Sequence, residues 1–79
     1  DAQAAERGLA ALPQIAEAGH FHAWTLTDDT AIATVHVSPA AGVDPLTLPP
    51  VAAAWLKERY AIAHVTVQVD PPGQLGGHC

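Results

Sequence analysis

Basic residues are scarce: three lysines and arginines stand against eight aspartates and glutamates, a net charge of -5. That excludes nucleic-acid binding, which relies on basic side chains to displace counterions from phosphates. It disfavours adsorption to an anionic membrane surface for the same reason. A single cysteine, Cys79, rules out an internal disulfide and points to a reducing compartment. No apolar run approaches the roughly 20 residues that a membrane-spanning helix needs. Methionine is absent, even at position 1, so the chain reads as part of a larger protein. Its opening, DAQAAERGLAAL, lacks the pattern of a signal peptide.

What is present fits one small domain. The 79 residues are too few for two separate cores, and a chain of this size buries only roughly 60% of its unfolded surface. Such a domain gains from a partner subunit or a bound metal. Apolar residues at 49% exclude a wholly disordered chain. Five histidines alongside eight carboxylates and the cysteine make a composition able to hold a soft-to-borderline divalent metal.

Residues 2–12 are rich in helix formers and end at Pro13, with a further helical turn expected over 14–18 before Gly19. Residues 20–27 (HFHAWTLT) and 30–38 (TAIATVHVS) read as two strands joined at Asp28-Asp29 in an antiparallel hairpin. Residues 39–50 hold four prolines and a glycine and read as loop, with Pro49-Pro50 suited to the first turn of a helix over 51–60. The inward residues of that helix are expected to be Val51, Ala54, Trp55 and Leu56. Residues 63–70 (AHVTVQVD) alternate most clearly: Val65, Val67 and Val69 on one face, His64, Thr66, Gln68 and Asp70 on the other. The order helix, strand, strand, helix, strand predicts an α+β two-layer sandwich, with one face of a three-stranded sheet left uncovered. The domain is expected to occupy residues 1–73, followed by a Gly-rich tail over 74–79.

The uncovered face is where chemistry is expected. A hairpin turning at Asp28-Asp29 brings His20 and His22 near His36, and an antiparallel last strand would bring Asp70 to the same end. The tail carrying His78 and Cys79 is long enough to fold back over it. Imidazole, imidazole, carboxylate and thiolate suit a tetrahedral zinc site. No helix-borne base of the HExxH kind is present, which favours a closed, regulatory site over a catalytic one. A two-residue turn would set Thr27 opposite Thr30 and send His22 and Trp24 toward the helices; a longer turn or a bulge would reverse this. Trp24 and Trp55 are read as core residues.

The segments HFHAW, TVHVS and HVTVQVDPP resemble the cytoplasmic C-terminal domain of cation diffusion facilitator transporters across residues 8–72. The resemblance implies a metallochaperone-like, ferredoxin-like αββαβ domain that forms a V-shaped homodimer below a transmembrane domain. Divalent cations, usually zinc, bind near the dimer interface in such proteins and favour exchange of metal against protons by the membrane part. His22-Ala23-Trp24 corresponds to the family's His-Val-Trp, His36 to its metal-binding His, and Asp70 to its acidic ligand, with Asp for Glu. Gln68 agrees with the common Gln of the pattern. The family's first His falls on Gly19 and the neighbouring Asp on His20, so a ligand has moved by one residue or been lost. Cys79 resembles the tail cysteine ligand of some vesicular zinc transporters, and a thiolate favours zinc or cadmium.

Taken together, these features predict a non-enzymatic, metal-sensing regulatory domain on the cytoplasmic face of a membrane, part of a divalent-metal efflux transporter. The expected ligands are His20, His36, Asp70 and Cys79, with His22, His64 and His78 as further candidates, and the metal Zn2+ or Cd2+. The expected partners are a second copy and the transporter's own membrane part, with no nucleic acid. The rival is a ferredoxin-like module that senses a small organic molecule, of the amino-acid-binding kind.

Overall fold

The computed structural model describes residues 2–71 and 73. Helix α1, Ala2–Ala10, buries Ala5 and Leu9 one turn apart. It ends short of Pro13, because the residue before a proline is pushed out of helical geometry. The helical turn expected over 14–18 is instead the start of strand β1, Ile15–Thr25. Here pairing overrides local preference: Ile15 is buried and lies opposite Pro39, and the Ala40 N–H donates to the Gln14 carbonyl at 2.9 Å.

Strand β2, Ala31–Pro39, runs antiparallel to β1. The hairpin turn is longer than Asp28-Asp29. The Leu26 N–H donates to the Thr30 carbonyl at 2.9 Å, and the Asp28 carboxylate accepts from the Thr30 N–H at 3.1 Å. Thr25 therefore faces Ala31, His22 faces Thr34 and Trp24 faces Ile32. Since Ala33, Val35 and Val37 point to the helices, His22 and Trp24 point away from them. Trp24 is 47% exposed and is not a core residue, because the longer turn reverses the face it occupies.

A 3-10 turn at Pro45–Thr47, capped by Asp44, leads into helix α2, Leu48–Tyr60. This helix starts three residues earlier than expected, with Pro49 and Pro50 in its first turn, where their missing N–H groups cost nothing. Its inward stripe is Leu48, Ala52 and Leu56; Ala54, expected inward, is exposed, because the earlier start shifts the buried stripe. Trp55 packs at the edge of the core, and its indole lies so close on Gly8 that a Cβ there would overlap it. That contact is where α1 meets α2.

Helix α2 ends at Ala61, which holds a left-handed conformation (φ 55°, ψ 39°) while its N–H donates to the Lys57 carbonyl at 3.1 Å. Alanine pays a steric cost in that region that glycine does not. Ala61→Gly is expected to raise stability by about 0.5–1 kcal/mol, read as a higher denaturant midpoint at unchanged slope. A lower midpoint would contradict this account of the cap.

Strand β3, His64–Val69, lies beside β2 and parallel to it, so the sheet order is β1-β2-β3. The crossover through α2 permits this, as parallel neighbours require a long connection. Leu9, Val35, Val37, Leu48 and Leu56 form the fully buried centre between the sheet and the two helices. The architecture is the α+β two-layer αββαβ sandwich, with one sheet face bare of helices.

Candidate metal centre

Four cross-strand rows cross the bare face. Trp24, Ile32 and His64 form one, and His22, Thr34 and Thr66 the next. Gly19, His36 and Gln68 form the third; Glu17 and Ser38 lie on the fourth, beside Asp70 just past the end of β3.

The third row carries an irregularity. Gly19 pairs with His36 and His22 with Thr34, so His20 and Phe21 together oppose the single residue Val35. This is a β-bulge, and His20 takes φ 52° within it. The extra residue lets Phe21 pack against the core while His20 joins the opposite face. The His20 and His36 rings lie 4.9 Å apart, tilted by 56°. A non-glycine residue in this region is strained, and histidine tolerates it better than most.

His36 also meets Asp70: its Nδ1 is 2.9 Å from Asp70 Oδ2. The Gln68 amide donates to Asp70 Oδ1 at 2.9 Å. These two side-chain hydrogen bonds, Gln68 first and His36 second, hold the Asp70 carboxyl below the usual carboxylate range. A carboxylate stabilised in this way supports the fold above its unfolded-state pKa, and that support is lost as pH falls through its lowered folded value. Asp70 reaches His36 because β3 runs parallel to β2, so both strands end at the same side. The antiparallel arrangement considered for the last strand is not the one adopted, and the parallel one brings about the same juxtaposition.

Two further expected residues lie apart. His64 begins β3 opposite Ile32, four residues along the strand from Gln68, or roughly 13 Å at strand rise. His22 shares the bare face but is exposed, opposite Thr34. His78 and Cys79 lie outside the described residues. Among the described residues, no three His, Cys, Asp or Glu side chains converge into a group that could hold a metal ion. His20, His36 and Asp70 are thus linked in a chain of neighbours, not gathered around a common centre.

Sequence reasoning passed over Glu17. Its Oε1 accepts from the Ser38 hydroxyl at 3.2 Å and from the Gly73 N–H at 3.2 Å. The residues 14–18 around it were expected to be helical, so its place at the end of the sheet gave no signal.

No family model matches the sequence, and no curated protein does. Among solved structures, the metal-bound C-terminal domain of the CzcD transporter from Cuprividus metallidurans is similar to this chain, with a TM-score of 0.76 and 31% sequence identity. The match covers 89% of this chain and 97% of that one. Among the described residues, no helix is long and apolar enough to cross a membrane. With its fold, its strand motifs and this likeness in agreement, the chain belongs to the family of C-terminal domains of cation diffusion facilitator transporters.

Proposed function

We propose that this domain senses divalent metal, zinc by preference, on the cytoplasmic face of a membrane and regulates an efflux transporter of which it is part. The observation that carries the proposal is the bulge that brings the His20 imidazole to His36, itself bonded to Asp70. Two ring nitrogens and a carboxylate oxygen suit zinc or cadmium, and the Cys79 thiolate would complete a four-donor set. The similar CzcD domain being metal-bound supports the same reading.

The regulation follows from charge. At -5 per chain, two copies meeting through their bare sheet faces repel each other. A divalent cation held by His20, His36 and Asp70 lowers that net negative charge and relieves the repulsion. It favours the closed pair to the extent that the closed pair holds the cation more tightly than the open one. A role in catalysis is no part of this reading.

The organic-ligand alternative has less support. The apolar groove of about 250 Å³ beside α1, lined by residues such as Phe21, Ala31, Tyr60 and Ile62, offers no charged group to meet an ammonium or a carboxylate.

Titration calorimetry of the metal-free chain with Zn2+ under reducing conditions tests the proposal. Saturable binding of at least one ion per chain is expected, tighter than about 10 μM, or some 7 kcal/mol. Only weak, unsaturable adsorption would remove the metal-sensing reading and return attention to organic ligands.

A further inference from the structure

We infer that Glu17 is a positioning residue for the metal-sensing face: its carboxylate clamps the segment after β3 to the β1–β2 pair and so holds Asp70 where it meets His36. The inference rests on the metal-sensing reading and adds to it a residue that is not itself a ligand.

The segment that follows β3 is held at two points. At its start, the Asp70 N–H donates to the Val37 carbonyl at 2.8 Å. Three residues later the Gly73 N–H reaches Glu17 Oε1, with Gly73 at φ 83°. The same oxygen takes the hydroxyl of Ser38, which is fully buried and lies directly opposite Glu17 across the β1–β2 ladder. One carboxylate oxygen therefore joins the beginning of β1, the end of β2 and the chain beyond β3. Between the two anchors the Asp70 side chain is only partly exposed, at 14%, and its two oxygens are taken by His36 and Gln68. Without the Gly73 anchor, the segment is held at Asp70 alone, by its N–H to Val37 and its carboxylate to His36 and Gln68, and keeping that carboxylate ordered for a metal costs more conformational entropy.

Hydrogen-bond chemistry separates this role from ligation. Both groups that meet Glu17 Oε1 are donors, so an amide oxygen can replace it. Glu17→Gln keeps that acceptor but removes the charge and most of the affinity for a hard or borderline cation. Glu17→Ala removes the acceptor. Zn2+ titration of the full chain is expected to show affinity lowered roughly 2- to 10-fold in Glu17→Ala and restored to within about twofold in Glu17→Gln.

Amide hydrogen exchange without metal gives a second reading that does not depend on zinc. Gly73 is expected to exchange roughly tenfold faster in Glu17→Ala and at the unaltered rate in Glu17→Gln. Zinc affinity unchanged in Glu17→Ala overturns the inference and leaves the metal-sensing reading standing. Equal loss in both variants also overturns it, because Glu17 would then act through its charge. Failure of the unaltered chain to bind zinc overturns both.

Discussion

Alanine in place of His36 is expected to weaken Zn2+ binding by about 100-fold or more, with little change in the metal-free melting temperature. Losing a partner that merely orients a metal ligand typically costs about 10- to 100-fold, and His36 is proposed as a ligand itself. It is also the hub of the cluster, standing 4.9 Å from the His20 ring and 2.9 Å from the Asp70 carboxylate. Its side chain is 33% exposed, so truncation opens no sealed cavity in the core. Asp70→Ala should act in the same direction. Calorimetry paired with thermal melting checks both. Retained affinity in either variant would remove that residue from the site, and a collapsed melting curve would show that it serves the fold.

Leu56→Ala is expected to act on the other side of the sheet and to cost about 2–5 kcal/mol. Leu56 is fully buried on the face of α2 that packs over β3, in one core cluster with Leu48, Val35 and Val37. A chain of this length is stable by roughly 4–12 kcal/mol, so the variant should melt at least about 10 °C lower. Metal should then rescue it: free zinc at about 100 times Kd contributes about 2.7 kcal/mol to the folded state. The same rescue should vanish when His36→Ala is added. Rescue that survives His36→Ala would place the stabilising ion elsewhere.

How much of this was legible in the sequence differs between strands. The Val65, Val67, Val69 alternation announced β3 and its faces, since one buried side fixes a period of two. Pairing order was not legible, because local residue types do not mark whether β1 or β2 takes β3 as its neighbour. In β1 the faces of His22 and Trp24 depended on turn length. A turn closing at Leu26 and Thr30 differs from one at Asp28-Asp29 by contacts that composition does not encode. The start of β1 was hidden for another reason. Ala16 and Glu17 disfavour a strand, Ile15 alone is too short a signal for one, and pairing with the end of β2 makes the stretch extended. Glu17 was lost with them. The nearness of His36 to Asp70 was reached on the family resemblance and on a strand direction that the residues left open. The inward stripe of α2 was misplaced because Leu48 was left in the loop, and the stripe runs from it at four-residue spacing through Ala52 and Leu56.

The bulge at His20 makes the proposed coordination a matter of chain length as well as side-chain identity. From Phe21 onward, and again between Glu17 and Gly19, the strand keeps its inward and outward faces. Removing one residue at position 20 would let the ladder close without disturbing either stretch, and the second imidazole would disappear from the face while the core stayed intact. A single-codon deletion at this point is therefore expected to remove one donor from the proposed set while the inward faces on either side of it keep their register.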